Sequence, residues 1–162
     1  LLDHWRDALR GGIEFLHPGT NLVVSGGVDD LWVNEKSELV IVDYKATSKT
    51  DRITIEADWQ KSYKRQMDVY AWLFRKNGFL VSDTSYFVYC NALTEKNAFD
   101  AQLTFAIHVL PYVVDDTWIE GSLVELRQCL SENEPPVFTD GCDYCGYQQA
   151  VRSFDQQLGF EI

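Results

Sequence analysis

Residues 57 to 77, ADWQKSYKRQMDVYAWLFRKN, carry the strongest helical signal in the chain. Trp59, Tyr63, Gln66, Tyr70, Leu73 and Phe74 recur at steps of three and four and fall on one stripe. Gly78 marks the end of the helix. A helix with one apolar stripe buries it against another element. The segments before and after it read as strands, so this helix is expected to pack on a sheet.

The strands set the architecture. Residues 2 to 10 read as a short helix stopped by Gly11-Gly12, and HPGTN at 17 to 21 is a turn. Strands are expected at 22 to 25 and 27 to 33, with a kink at Gly26-Gly27, and again at 38 to 45 after the turn NEKS, so that 27 to 45 forms a hairpin. A polar loop runs to about Ile55, and TSYFVYC at 84 to 90 is a strand. Between 102 and 109, Leu103, Phe105, Ile107 and Val109 alternate with Gln102, Thr104, Ala106 and His108, which reads as a strand with one wet face and His108 on the surface. A second amphipathic helix is expected at 115 to 131, then a loop over 135 to 141 and a short helix in the tail. Helix, three strands, helix, two strands, helix describes an α/β sandwich around a mixed sheet flanked by helices.

A length of 162 residues fits one domain spanning 1–162, with a core over about 20–110 and a C-terminal helix and cysteine-containing tail over 111–162. The first residue is Leu rather than Met, so an upstream segment is expected to have been trimmed away. No run approaches the roughly 18 apolar residues of a membrane-spanning helix. The four cysteines, Cys90, Cys129, Cys142 and Cys145, form no secreted disulfide pattern, and a reducing cytoplasm is the expectation.

The net charge of −11 argues against indiscriminate binding to a polyanion. The charge is uneven. From Lys45 to Lys76, eight basic residues stand against four acids, so that segment is +4 and the remainder is −15. A basic zone on an acidic body can dock a phosphate backbone at one place and repel it elsewhere. Lys49, Arg52, Lys61, Lys64 and Arg65 are the candidate phosphate contacts, while the acidic surface is open to a protein partner.

Three oddities point to chemistry. The aliphatic run LVIV at 39 to 42 continues into Asp43 and Lys45, which share one face of their strand. An unpaired charge on a buried face is costly, and an ion pair at a sheet end is one explanation. The neighbouring strand opens GGVDD, placing Asp29 and Asp30 just after paired glycines that permit a bend or bulge. One aspartate from each strand then converges on a hard cation such as Mg²⁺, which takes few carboxylates and keeps several waters. Gln66 occupies the middle of the helical stripe where leucine is expected, and Tyr70 follows one turn on. A buried amide needs partners, and a stripe packed on the hairpin brings Gln66 toward Asp43 and Lys45. Two acids, a lysine and a glutamine suit phosphodiester hydrolysis.

These residues resemble the PD-(D/E)XK nuclease superfamily, particularly its RecB-like branch, which includes CRISPR-associated exonucleases. That branch shows G-x-(hydrophobic)-D, a strand ending D-x-K and a helix with Q-x-x-x-Y. Here they stand as Gly26-Gly27-Val28-Asp29, Asp43-Tyr44-Lys45 and Gln66-Met67-Asp68-Val69-Tyr70. The resemblance covers roughly residues 20 to 90 and implies a restriction-endonuclease-like αβββαβ core. It implies Asp29 and Asp43 as ligands of Mg²⁺ or Mn²⁺, Lys45 as the catalytic lysine, and Gln66 and Tyr70 in support. The branch often has an upstream histidine ligand, for which His4 is the only helix candidate; His17 fits worse. Its iron–sulfur members use one early and three late cysteines. CDYC at 142 to 145 is similar to the late pair, but there is no early cysteine and none after Cys145, so no iron–sulfur cluster is expected. Free thiols are the expectation there, with zinc bound through Cys90 or Cys129 as the alternative.

Two functional expectations follow. One is a metal-dependent nuclease acting on DNA. The other is a catalytically silent module of the same fold that binds nucleic acid or a protein partner.

Overall fold

Two parallel neighbouring strands, Leu39–Thr47 and Thr84–Ala92, dictate the course of the chain, because parallel strands cannot be joined by a tight turn. The computed structural model describes residues 1–95 and 101–157. Its elements are α1 (Leu2–Arg6), β1 (Ile13–His17), β2 (Leu22–Gly26), β3 (Asp30–Val33), β4 (Leu39–Thr47), α2 (Lys61–Lys76), β5 (Thr84–Ala92), β6 (Phe105–Val113), α3 (Ile119–Cys129) and α4 (Asp143–Gln157). A 3-10 turn at Asp58–Gln60 leads into α2. β1 and β2 pair antiparallel in a two-stranded sheet, and the second sheet has the order β3-β4-β5-β6. In it β3/β4 and β5/β6 are antiparallel and β4/β5 is parallel, so the sheet is mixed.

The αβββαβ order appears once β2 and β3 are taken as one path interrupted at residues 27–29. β2 pairs with β1, and β3 pairs with β4. The sequence reading places two strands within 22–33, where β2 and β3 lie, and none at Ile13–His17. Those five residues lie between a glycine stop and a turn, too few to show periodicity. α1 is also shorter than 2–10. The Asp7 carboxylate accepts the N–H groups of Leu9 and Arg10, each at 3.1 Å, and turns the chain out of the helix.

α2 buries a stripe displaced from the expected one. Met67, Ala71, Leu73 and Phe74 join Ile41 and Phe87 in the core cluster, while Tyr63, Gln66 and Tyr70 are half-buried on its flank and Trp59 is exposed. Trp5 meets Phe74 and Phe79 edge-on, with centroids 5.1 and 5.3 Å apart, and Phe15 meets Trp72 at 5.5 Å. Each such pair contributes about 0.5–1.5 kcal/mol beyond its buried area, which fastens α1 and β1 to α2.

β6 has the opposite facing from that expected. Phe105, Ile107 and Val109 are exposed, whereas Ala106, His108, Leu110 and Tyr112 are half-buried. Period-two alternation sorts residues into two faces without saying which is inward. Tyr112 decides it. Its hydroxyl donates to Oδ1 of the buried Asp68 at 2.9 Å, and Asp68 also accepts Asp115 N–H at 3.0 Å and Trp118 Nε1–H at 3.1 Å.

The chain divides into two compact units, Leu1–Val124 and Glu125–Ile162. The first holds both sheets and α2. In the second, α4 runs 15 residues, longer than the short helix expected, and none of its described residues is buried. Among the described residues no helix is long and apolar enough to cross a membrane.

Candidate active site

Asp43 sits in the middle of β4 with only 1% of its surface exposed. Lys45, two residues on and so on the same face, turns back to it. Its Nζ donates to Oδ1 at 2.9 Å and lies 2.7 Å from Oδ2. Lys45 is thus ion-paired with both carboxylate oxygens, and among the described residues the buried Oδ2 has no partner besides that ammonium. The register Asp30↔Val42 points residue 29 at residue 43 across the hairpin. Asp29 Oδ2 accepts the backbone N–H of Tyr44 at 2.8 Å, which holds the exposed carboxylate at this edge. Asp30 is engaged elsewhere: its carboxylate accepts the Tyr44 hydroxyl at 2.9 Å and its own neighbour's N–H, Leu31, at 2.9 Å. Of the two adjacent aspartates, Asp29 is the one whose charge acts on Asp43.

Two glycines make the arrangement sterically feasible, through close approach rather than through positive φ. A Cβ on Gly26 would stand 2.7 Å from Cε1 of Tyr70, and one on Gly27 would stand 2.7 Å from Cβ of Ala8. Val28 is buried, and its N–H donates to Trp5 O at 3.0 Å. The segment is thus clamped between α1 and α2 immediately before Asp29. From α2, Gln66 Nε2–H donates to the Tyr70 hydroxyl at 2.7 Å.

Burial pushes the Asp43 carboxyl up from its ordinary value, Lys45 opposes this by hydrogen bond and charge, and the Asp29 carboxylate adds to it. Burial likewise pushes the Tyr70 phenol up; the Gln66 bond opposes, and the charges of Asp29 and Asp43 reinforce. Two carboxylates against one ammonium leave negative charge uncompensated in a half-buried place. A buried carboxylate paired only with Lys45, beside a second carboxylate, fits a hard divalent cation, which is bound through one or two carboxylates and retains water. Among the described residues no cluster of three or more His, Cys, Asp or Glu is gathered that could hold a metal. Asp29 and Asp43 are the two carboxylates that could hold such an ion.

The basic residues do not form one patch. Lys61 is paired with Asp58 at 3.0 Å and Lys64 with Glu56 at 3.4 Å. Among the described residues Lys49, Arg52 and Arg65 make no ion pair. Lys49 and Arg52 line one concavity with Asn91 and His108, and Arg65 lines another with Trp118 and Ser122. His108 is thus not a plain surface residue.

Sequence reasoning missed two tyrosines at the site. Lys45 Nζ stands 4.4 Å from the centroid of the Tyr63 ring. Tyr89 is the parallel partner of Lys45 across β4 and β5, and its phenol accepts Gln60 Nε2–H at 3.2 Å. Tyr63 belonged to the helical stripe, whereas nothing in the sequence signalled Tyr89 without the strand pairing. The ring of His4 lies against Gly11, where a Cβ would stand 2.6 Å from its Nδ1. The four cysteines are free thiols, and Cys142 Sγ accepts the Cys145 N–H at 3.4 Å.

The family model of the PD-(D/E)XK nuclease superfamily matches residues 2–150. No curated protein matches the chain. A solved structure described as "Crystal structure of SSO0001" is similar at 18% identity with a TM-score of 0.43, over 84% of this chain. This chain spans about half of that one, 54% of its length. With the family match extending over both strands of the acid hairpin, α2 and β5, the chain belongs to the PD-(D/E)XK nuclease superfamily.

Proposed function

We propose that the protein is a metal-dependent nuclease of the RecB-like branch that hydrolyses phosphodiester bonds of DNA. The observation that carries the reading is the convergence of Asp29, Asp43 and Lys45, with the buried Asp43 carboxylate paired to Lys45 alone among the described residues. Asp29 and Asp43 would hold Mg²⁺ or Mn²⁺. When bound, such an ion lowers the pKa of a coordinated water and polarises the phosphate. Lys45 supplies a cation beside the scissile phosphate, where charge develops in the transition state. Tyr63 and Asp43 fix the ammonium from two sides. Gln66 and Tyr70 act as a coupled pair that orients water or backbone by hydrogen bonds. Lys49, Arg52 and Arg65 are the cations free to take flanking phosphates, with Lys61 and Lys64 secondary because acids already engage them. Free thiols suit a cytoplasmic setting.

The net charge of −11 favours one alternative, a module of this fold that binds a partner without cutting. A cleavage assay on single- and double-stranded DNA and on RNA, with Mg²⁺, with Mn²⁺ and with chelator, separates the two. The nuclease reading expects cleavage of DNA that chelator abolishes. Intact substrate under every condition would leave the silent module standing.

A further inference from the structure

An exposed indole, unused by the chemistry proposed above, is linked to Lys45 through the ring of Tyr63. Trp59 sits in the 3-10 turn before α2 and is 56% exposed. Its neighbours form a row leading back to the site. Lys45 Nζ is 4.4 Å from the Tyr63 centroid, the Tyr63 ring meets Trp59 edge-on at 5.5 Å, and Lys49 Nζ lies 5.1 Å from the Trp59 ring. Cation, ring, ring and cation therefore run outward from the lysine of the D-x-K strand.

Lys49, at the outer end of the row, also lines a concavity of about 450 Å³ together with Asp51, Arg52, Asn91 and His108. The loop there is tied down. Asn91 Oδ1 accepts the Lys49 N–H at 2.8 Å, and Asn91 Nδ2–H donates to Lys49 O at 2.9 Å. Lys49 is thus held at the end of β5 by its backbone while its ammonium stays free of any acid among the described residues. A lone exposed tryptophan is ordinary on a protein surface. One that stands in a row with the site lysine and has the ammonium of Lys49 against its ring is a different feature, because aromatic faces with cations beside them match the bases and phosphates of an unpaired strand.

We infer that Trp59 is a stacking platform for a nucleobase of single-stranded nucleic acid, with Lys49 and Arg52 taking the adjoining phosphates. The inference rests on the nuclease reading of Asp29, Asp43 and Lys45. A base reaches an indole face only when it is unpaired, so the platform selects a single strand or an opened end over a closed duplex. Every base offers a π face, so selection by sequence is weak. The Lys49 ammonium moves from the ring to a phosphate as the base arrives.

Binding is measured without divalent ions, so that it is independent of cleavage. Fluorescence anisotropy of the whole chain compares a labelled oligothymidine with a wholly abasic strand of equal length. Wild-type protein is expected to prefer the intact strand. Trp59→Ala is expected to weaken binding of the intact strand by about 5- to 150-fold and to leave the abasic strand unaffected. Trp59→Phe should recover much of the loss, and melting temperatures should match, since the residue is mostly exposed. Equal wild-type affinity for the two strands, equal weakening of both by Trp59→Ala, or no binding of either strand overturns the inference. Loss of the nuclease reading shows separately, as absent cleavage with Mg²⁺ or Mn²⁺ in wild-type protein.

Discussion

Gly26 and Tyr70 share one space: the tyrosine ring fills the volume that a side chain at residue 26 would need, with 2.7 Å between Cε1 and a Cβ built there. Gly26→Ala is therefore expected to displace the ring together with the Gln66 bond it receives. Overpacking of this kind costs about 1–3 kcal/mol, and cleavage should fall with it. Urea denaturation and a cleavage assay check both; an unchanged midpoint and rate would show that the ring yields freely.

Gln66 and Tyr70 are expected to separate stability from activity. Gln66→Leu installs the residue that the helical stripe asks for, so stability should hold or rise while cleavage drops. Tyr70→Phe keeps the ring and removes the hydroxyl that accepts the 2.7 Å bond. Its stability cost should be no more than about 1 kcal/mol. Parallel melting curves and rate constants test the split, and a variant that melts early and cuts normally would reverse it.

The salt dependence of binding should divide the basic residues. Loss of one phosphate contact reduces the slope of log K against log salt by about 0.7 for a single strand. Lys49→Ala, Arg52→Ala and Arg65→Ala are each expected to approach that change. Lys61→Ala and Lys64→Ala should give less, since Asp58 and Glu56 already engage those ammonium groups. Affinity measured across a salt series decides, and equal slopes for all five variants would contradict the division.

Acid sensitivity should trace in part to Glu120. Its Oε1 accepts from Lys76 at 2.6 Å and from Trp72 Nε1–H at 3.1 Å, and its Oε2 lies 2.8 Å from His17 Nε2. The Lys76 bond leads in pulling this carboxyl from 4.5 down to about 2. A depressed folded pKa gives stability that is present above pH 4.5 and lost as pH falls toward 2. The side chain is 45% exposed, so the contribution is on the order of 1 kcal/mol or less. Glu120→Gln should lower the urea midpoint at pH 7 and converge with wild type near the acid end. A gap that persists undiminished at low pH would refute the linkage.

Much of this site was legible in the sequence because its residues break local rules. Asp43 and Lys45 interrupt an aliphatic strand, and Gln66 interrupts an apolar stripe, so each stood out against its own element. The structure places Asp43 and Lys45 in direct contact and bonds Gln66 to Tyr70. Relations that depend on a partner were not legible. Gly26 and Gly27 read as a bend, yet their role is to admit Tyr70 and Ala8, which only the packing reveals. Tyr89 reaches the site through parallel pairing with Lys45, a register no local pattern encodes. The inward face of β6 was set by the Tyr112 bond to Asp68, 44 residues earlier in the chain. β1 was too short to show a period, and the charges of Lys61 and Lys64 read as free until Asp58 and Glu56 were seen beside them.

The central claim is that Asp43 is a metal ligand and Lys45 a stabiliser of charge on the phosphate. Titration calorimetry with Mg²⁺ and Mn²⁺, run beside a cleavage assay, tests it most directly on wild type, Asp43→Asn and Lys45→Ala. Wild type should bind the cation and cut. Asp43→Asn should lose both, since the carboxylate charge that holds the ion is gone. Lys45→Ala should still bind the cation, while cleavage falls by about 10²–10³, the loss typical of one electrostatic stabiliser. Cation binding that survives Asp43→Asn unchanged, or a Lys45→Ala variant that cuts at the wild-type rate, would contradict the account.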